Sequence, residues 1–117
     1  LVEPDRPAVA LTGDAGLWMT VGELGIAQER GLDLVVVYLA DAALSLIQLK
    51  QERLDLPDQG VTFDNPKVEA LAAAFGGVGV SVQGQQAVRA AVADAHARGG
   101  LTLIEARIDP APYRRQM

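Results

Sequence analysis

The strongest constraint on the fold is an uninterrupted apolar run at positions 34–39, Leu-Val-Val-Val-Tyr-Leu. A strand with one solvated face alternates apolar and polar residues, whereas this run is apolar at every position. Strands covered on both faces have this composition, and they occur in parallel sheets with helices on each side. The run therefore predicts a buried strand of a parallel α/β sheet.

The rest of the sequence alternates between short apolar runs and stretches of helical periodicity. Strands are predicted at 8–12, 34–39, 78–82 and 101–108. Helices are predicted at 16–30, 42–53, 67–75 and 85–98, with a surface loop at 54–66. Because strands that alternate with helices join by right-handed crossovers into a parallel sheet, the sequence predicts a three-layer α/β/α fold.

Proline and polar residues set the expected ends of several elements. Pro66 suits the first turn of the third predicted helix, with Asn65 as its candidate N-cap. Pro110 and Pro112 are expected to end the regular structure, so the tail 113–117 is predicted to be mobile.

The composition excludes several classes of function. Lys and Arg number 10 against 15 Asp and Glu, and this net charge of -5 argues against nucleic acid as a partner, because phosphate backbones bind basic surfaces. The absence of cysteine excludes disulfides and thiolate metal sites. No apolar run approaches the roughly 20 residues that span a bilayer, and no signal peptide is visible. We therefore expect a cytoplasmic globular protein with no membrane partner.

Candidate site residues follow the first two predicted strands, in the turns TGDAG at 12–16 and LADAA at 39–43. Each turn carries one Asp, Asp14 or Asp41, near the start of the next helix, at the end of the sheet where ligands bind. Helix N-termini attract phosphate, whereas two carboxylates repel it unless a cation lies between them. Mg²⁺ binds carboxylates together with phosphate oxygens. Since no Lys stands in either turn, the pattern favours a metal-bridged phosphate site.

Two other interpretations of these turns remain open from the residues alone. An Asp at the start of a helix is most often an N-cap, which stabilises the helix by about 1 kcal/mol, and capping competes with metal binding for the same side chain. A generic phosphate or nucleotide binder of flavodoxin-like topology would also carry such turns.

Residue types with other functional chemistry give weaker signals. His96 is the lone histidine, and it is expected to be solvated or partly packed on a helix. Trp18 and Met19 are expected to pack in the core or at an interface rather than to line a substrate pocket.

The two turns together resemble a family motif. Gly13-Asp14-Ala15, then 24 residues, then Ala40-Asp41 is similar to the thiamine diphosphate motif, in which GDG is followed at such a distance by NN. Three stretches that cover most of the sequence add to the likeness: 10–51, 60–77 and 100–113. The sequence resembles the C-terminal, diphosphate-binding domain of thiamine diphosphate-dependent enzymes of the acetolactate synthase-like group.

The resemblance implies a role for each residue of the motif. Asp14 and Asp41 would bind Mg²⁺ through their side chains, and Ala43 would bind it through its backbone carbonyl. Thiamine diphosphate would lie against these residues and against the residues that flank them: Gly13, Ala15, Gly16, Leu44 and Ser45.

Two residues depart from the family motif. Ala15 replaces the last Gly of GDG, and its Cβ is unfavourable if the position needs a positive φ or a close backbone approach. Ala40 replaces the first Asn of NN, and the loss of that amide is expected to leave Asp41 less well oriented. These departures motivate a second hypothesis, a non-catalytic degenerate homologue that serves assembly or regulation.

The resemblance also implies a larger protein. Enzymes of this group act on small 2-keto acids by decarboxylation or carboligation, and their chains also carry an N-terminal pyrimidine-binding domain and a middle domain. Because the pyrimidine-binding domain of a partner subunit supplies the Glu that activates the cofactor, no catalytic residue is expected in this sequence. We therefore expect residues 1–117 to form a partial domain of a homodimeric or homotetrameric enzyme, inactive alone and with an exposed hydrophobic edge at its first strand.

Overall fold

The computed structural model of the protein describes residue 3 and residues 6–116, apart from the side chains of residues 113, 114 and 116. Its strands are β1 (Ala8–Gly13), β2 (Leu34–Ala40), β3 (Val78–Gln83) and β4 (Leu101–Arg107). Its helices are α1 (Asp14–Thr20), α2 (Leu24–Glu29), α3 (Ser45–Arg53), α4 (Val68–Ala74), α5 (Gln85–Arg98) and α6 (Ala111–Gln116). All four predicted strands are confirmed, each to within one residue at its ends.

The four strands form one parallel sheet in the order β1-β2-β4-β3. In the register between β1 and β2, Ala8 pairs with Leu34 and Gly13 with Leu39. Because the pairing is parallel and in step, β1 and β2 end side by side, and the two turns that follow them start at the same edge. The predicted parallel α/β architecture is confirmed.

Both faces of β2 are buried, as its unbroken apolar run predicts. Val36 and Tyr38 belong to a core shared with α1, α2 and α4, whereas Val35 and Val37 belong to a second core against α5. The helix residues of the first core are Leu17, Leu24, Ala27, Val68 and Ala72. Each buried Val or Leu contributes roughly 1.5–3 kcal/mol, so β2 ties both helical layers to the sheet.

β1 lies at the edge of this sheet. Its side chains are largely solvent-accessible, with Val9 52% and Leu11 71% exposed. The expected exposed hydrophobic edge is therefore present. Within the described part of the chain, no helix is both long and apolar enough to cross a membrane.

The first predicted helix, 16–30, is divided in two. α1 ends at Thr20, a 3₁₀ turn covers Val21–Glu23, and α2 follows. The Thr20 hydroxyl donates a hydrogen bond to the Gly16 carbonyl at 3.0 Å, an i to i-4 bond of the kind that bends helices. β-Branched and glycine residues in this stretch add to the break because they are weak helix formers.

The second and third predicted helices begin later than expected. α3 starts at Ser45 rather than at 42, because Ala42 has a left-handed φ of 58° that no helix accommodates. α4 starts at Val68 with Lys67 at the N-cap position. The prediction that Asn65 is the N-cap is wrong, because the Asn65 amide is bonded to α1 instead.

The prediction that regular structure ends at Pro110 and Pro112 is also wrong, because α6 covers Ala111–Gln116. The Asp109 carboxylate accepts a hydrogen bond from the Ala111 N–H at 2.9 Å, and Pro112 lies in the first turn, where its missing N–H would have no intrahelical partner. Residues 113–116 of the tail that was predicted to be mobile are therefore helical, and residue 117 lies outside the described residues.

Candidate functional site

A cavity of about 270 Å³ opens at the carboxyl ends of β1 and β2. It is lined by Gly13, Asp14, Ala15, Leu39, Asp41, Ala43, Ser45, Leu46 and Ile108. Both turns singled out in the sequence thus meet at one site. Six of the eight predicted cofactor residues line this cavity, and the other two, Gly16 and Leu44, do not.

Asp14 is the most constrained side chain of the site, with 3% of its surface exposed. Its Oδ1 accepts a hydrogen bond from the Ala15 N–H at 2.8 Å, and its Oδ2 accepts one from the Ala42 N–H at 2.9 Å. A third bond joins Oδ2 to the Asn65 side-chain amide at 2.9 Å. Since each carboxylate oxygen has about two acceptor sites, Oδ2 is saturated and Oδ1 keeps one.

Asn65 connects this carboxylate to a Trp on the same helix. The Trp18 indole N–H donates to Asn65 Oδ1 at 2.9 Å, while the Asn65 Nδ2 donates to Asp14. The sequence analysis missed this role, because Asn65 is 51 residues from Asp14 and its position before Pro66 predicts an N-cap at the end of a surface loop. No local sequence signal distinguishes such a residue from a helix cap.

Asp41 is held from the other side of the cavity. Its Oδ2 accepts a hydrogen bond from the Ser45 hydroxyl at 2.5 Å, and its Oδ1 accepts a long one from the Ala43 N–H at 3.4 Å. Ser45 is the first residue of α3, so the start of this helix fixes the rotamer of Asp41. The Asp41 carboxylate is half-buried and faces the same cavity as Asp14.

The backbone between Asp41 and α3 is tied to the loop at 61–63. Ala43 forms an antiparallel bridge with Thr62, in which the Leu44 N–H donates to the Val61 carbonyl at 2.7 Å. In the second hydrogen bond of the bridge, the Phe63 N–H donates to the Ala42 carbonyl at 3.0 Å. The bridge therefore orders the turn without using the Ala43 carbonyl, the predicted backbone ligand of the metal.

The N-cap interpretation of the two carboxylates is wrong. The N-cap residues of α1 and α3 are Gly13 and Leu44, neither of which has a polar side chain. Asp14 is the first residue inside α1, and Asp41 precedes the cap of α3 by three residues. Neither carboxylate occupies the N-cap position, so N-capping does not compete with metal binding.

The two departures from the family motif have identifiable surroundings. Ala15 lies inside α1, and the described non-glycine residues with positive φ are Ala42 and Asp55, so the expected penalty for a positive φ does not apply at Ala15. Ala40 is buried at the end of β2, where its carbonyl accepts a bond from the Ile108 N–H. The Asp41 carboxylate is oriented instead by the hydrogen bond that it accepts from the Ser45 hydroxyl.

Leu44 and Gly16, the two predicted cofactor residues that do not line this cavity, have other contacts. Leu44 lines a second, mostly apolar cavity of about 450 Å³ beside the first, together with Trp18 and Met19. Trp18 is half-buried there, whereas Met19 is 80% exposed and does not pack in the core, so the expected packing of Met19 at an interface stays a prediction. Gly16 faces Thr12, where a Cβ would lie 2.6 Å from the Thr12 hydroxyl, so its role is the close approach of α1 to β1.

Other polar residues lie apart from this site. His96 is exposed on α5, as expected. Tyr38 is fully buried, and its hydroxyl lies 3.5 Å from Glu105 Oε1 in hydrogen-bonding geometry. Burial raises the pKa of the Tyr38 hydroxyl far above its usual range, and the neighbouring Glu105 charge adds to the rise.

The donors at the cavity fit a hard cation. Two carboxylates and a carbonyl are the oxygen ligands that Mg²⁺ takes in proteins, usually together with phosphate oxygens and water. Among the described residues, no group of three or more His, Cys, Asp or Glu side chains could hold a metal. A soft metal or a metal held by side chains alone is therefore a poor fit, and a magnesium ion shared with a phosphate ligand is a good one.

The parallel sheet, with a cavity at its carboxyl edge that holds two carboxylates, has the arrangement typical of ligand-binding α/β domains. The family model described as "Thiamine pyrophosphate enzyme, C-terminal TPP binding domain" matches residues 1–106. This chain belongs to that family. The resemblance to acetolactate synthase-like enzymes, found in the sequence, is confirmed.

Relatives of known name agree with this membership. The chain is 29% identical over 113 residues to the acetolactate synthase isozyme 1 large subunit of Escherichia coli, covering 93% of this chain and 20% of that protein. It is 22% identical over 116 residues to the acetolactate synthase large subunit of Haemophilus influenzae, covering 97% and 20%. The chain therefore spans about one fifth of the length of these relatives.

A solved structure shows the same fold. The thiamine diphosphate-dependent 4-hydroxybenzoylformate decarboxylase of Rhodococcus jostii superposes with a TM-score of 0.80 at 23% identity. The superposition covers 92% of this chain and 20% of that one. The predicted three-layer α/β/α fold is thus shared with thiamine diphosphate enzymes.

Proposed function

We propose that this chain binds the diphosphate and the Mg²⁺ of thiamine diphosphate in an enzyme that acts on 2-keto acids by decarboxylation or carboligation. Membership of the thiamine pyrophosphate enzyme family supports the cofactor. The acetolactate synthase relatives support the reaction class. The metal is the part of the proposal that depends on the site itself.

The observation that carries the proposal is the meeting of Asp14, Asp41 and Ala43 at one cavity. In this proposal the two side chains and the Ala43 carbonyl hold Mg²⁺. The first turn of α3, where Ser45 and Leu46 line the cavity, offers N–H groups to the diphosphate, because the partial positive charge of helix N-termini favours phosphate. Gly13 lines the same cavity, and without a side chain it leaves the backbone open to a phosphate oxygen.

The described residues bind and orient; they do not perform the bond-breaking chemistry. When bound, thiamine diphosphate supplies the electron sink that stabilises a carbanion at the carbonyl carbon of a 2-keto acid. Ser45 holds the Asp41 carboxylate by a hydrogen bond, and three N–H donors hold Asp14. These bonds set both ligands before the cation arrives, which lowers the cost of ordering them.

The proposal includes a larger assembly. The exposed Val9 and Leu11 on edge strand β1 are where we place contacts with the remainder of the parent chain, because long apolar strand edges are normally covered. We propose that the parent also carries the pyrimidine-binding and middle domains and works in the cytoplasm as a homodimer or homotetramer. The activating Glu would come from a partner subunit.

Thermal unfolding of the intact protein tests the cofactor directly. Mg²⁺ together with thiamine diphosphate at 100 times its Kd should stabilise the protein by about 2.7 kcal/mol. Asp14→Ala should abolish that gain. Asp58→Ala is the matched control, since Asp58 is an exposed carboxylate that accepts from Gln48 at 2.8 Å and does not line the cavity.

Four outcomes would count against the proposal. An absent shift in the wild-type protein would contradict cofactor binding, and a shift retained by Asp14→Ala would contradict the assigned ligand. A shift given by FMN or a nucleotide in place of thiamine diphosphate would favour a generic phosphate binder. Binding restored only by Ala15→Gly with Ala40→Asn would identify a degenerate homologue.

A further inference from the structure

The Asp14 carboxylate has an unequal distribution of hydrogen bonds between its two oxygens. Oδ2 accepts from the Ala42 N–H and from the Asn65 amide, whereas Oδ1 accepts only from the adjacent Ala15 N–H among the described contacts. Because an oxygen of a carboxylate accepts about two hydrogen bonds, the acceptor capacity of Oδ2 is used and that of Oδ1 is half free. The donors thus decide which oxygen is left for a ligand.

The Asn65 amide supplies the second hydrogen bond to Asp14 Oδ2, and Trp18 fixes the orientation of that amide. An indole N–H is a donor only, so it can bond only the oxygen of the amide. The Trp18 N–H holds Asn65 Oδ1 at 2.9 Å, which leaves the amide nitrogen facing Asp14, also at 2.9 Å. Trp18 and Asp14 are four residues apart on α1 and so share a helix face, which allows one side chain from the loop to reach both.

The neutrality of the Asn65 amide matters for a cation site. A Lys or Arg in this place would satisfy the same oxygen, but it would also compensate the carboxylate charge that attracts a cation. In the described part of the chain, no salt bridge reaches Asp14. The buried carboxylate therefore has its orientation from neutral donors alone.

We propose that Asn65 is a positioning residue for the metal: held by Trp18, it occupies Asp14 Oδ2 and thereby presents Oδ1 as the ligand. This inference rests on the proposed function, because it assumes that Asp14 binds Mg²⁺. It goes beyond it by assigning to the loop before α4 a role in metal affinity. Partners that orient a metal ligand in this way typically contribute 10–100-fold in affinity.

The alternative is that Asn65 only fastens the loop to α1. The chain offers a matched control for that alternative, the amide–carboxylate bond between Gln48 and Asp58, which closes the same loop at 2.8 Å on its exposed side. Gln48→Ala removes a hydrogen bond of the same type from the same segment, but it leaves the cavity untouched.

Calorimetric titration of Mg²⁺ into the intact protein at saturating thiamine diphosphate measures the effect without any activity assay. We expect Asn65→Ala to weaken Mg²⁺ binding by at least about tenfold, and Gln48→Ala to leave it unchanged. Trp18→Phe keeps an aromatic ring but removes the N–H that holds Asn65 Oδ1, so the Asn65 amide is free to rotate. This variant should therefore also weaken Mg²⁺ binding. Because both substitutions weaken the binding of Mg²⁺ rather than that of the cofactor, excess Mg²⁺ should restore the wild-type affinity for thiamine diphosphate in Asn65→Ala and Trp18→Phe.

The results separate three cases. Mg²⁺ affinity within twofold of wild type in Trp18→Phe, or in Asn65→Ala that folds, would overturn the positioning role whatever the change in melting temperature. Equal weakening by Gln48→Ala would show a loop effect and would also overturn it. Wild-type protein that binds no Mg²⁺ would instead refute the proposed function, and the inference with it.

Discussion

Replacing Asp14 by Asn should separate the structural role of this side chain from its metal-binding role. The substitution is isosteric, and the amide oxygen can take the place of Oδ2 at 2.9 Å from both the Ala42 N–H and the Asn65 amide. The amide nitrogen then takes the place of Oδ1 and faces the Ala15 N–H, which loses its acceptor.

The magnitudes follow from counting these donors. Asp14→Asn leaves one N–H without an acceptor, which costs about 1–3 kcal/mol in the protein without ligands. Asp14→Ala leaves three donors without their acceptor and should cost at least about 3 kcal/mol. In the Asn variant the amide oxygen is saturated by two donors and the amide nitrogen cannot bind a cation, so the gain of about 2.7 kcal/mol from Mg²⁺ and thiamine diphosphate at 100 times Kd should vanish.

Chemical denaturation of the intact wild type and both variants, with and without the two ligands, measures these differences. The expected order of stability without ligands is wild type, then Asp14→Asn, then Asp14→Ala, and only the wild type should gain from the ligands. A ligand-induced gain retained by Asp14→Asn would contradict the metal-binding role of the carboxylate. Equal destabilisation of the two variants without ligands would contradict the structural role, since the hydrogen-bond network would then not be what Asp14 supports.

Three further predictions concern the frame of the site. Gly79→Ala should lower the melting temperature strongly in thermal unfolding, because a Cβ there would lie 2.2 Å from the Val68 carbonyl oxygen; an unchanged value would contradict this packing. Ala42→Gly should raise the free energy of unfolding by up to about 1 kcal/mol, because φ is 58° at this position; a loss in denaturant titration would contradict the strain. Burial and Glu105 raise the pKa of Tyr38, so the free energy of unfolding should be constant below about pH 10 and fall above it, because Tyr38 ionises first in the unfolded state. Tyr38→Phe should lessen that fall, and a pH profile identical to that of the wild type would contradict the role of Tyr38.

Predictions from the sequence succeed where periodicity reports burial. The apolar run at 34–39 becomes β2 because Val35 and Val36 belong to different cores, one on each face of the sheet. The two turns that carry Asp14 and Asp41 meet at one cavity because β1 and β2 are parallel, in register and end at the same edge of the sheet. Both results depend on local pattern and on general rules of parallel sheets.

Predictions fail where a contact joins distant residues. Asn65 has the composition and spacing of a helix cap, but its amide is used by α1, 51 residues away from its partner Asp14. Ala42 has no sequence feature typical of a positive φ, and the bridge that its turn forms with the loop at 61–63 holds it there. Pro112 reads as a terminator, yet it lies in the first turn of α6, where proline is tolerated.

The central claim is that Asp14, Asp41 and the Ala43 carbonyl hold the metal that carries the diphosphate. The most direct measurement is a crystal structure of the intact protein grown with thiamine diphosphate and Mn²⁺, which accepts the same oxygen ligands as Mg²⁺ and gives an anomalous signal. We predict one anomalous peak in the cavity between β1 and β2, coordinated by these three residues and by the diphosphate. A peak elsewhere, or an empty cavity at saturating cofactor, would contradict the account.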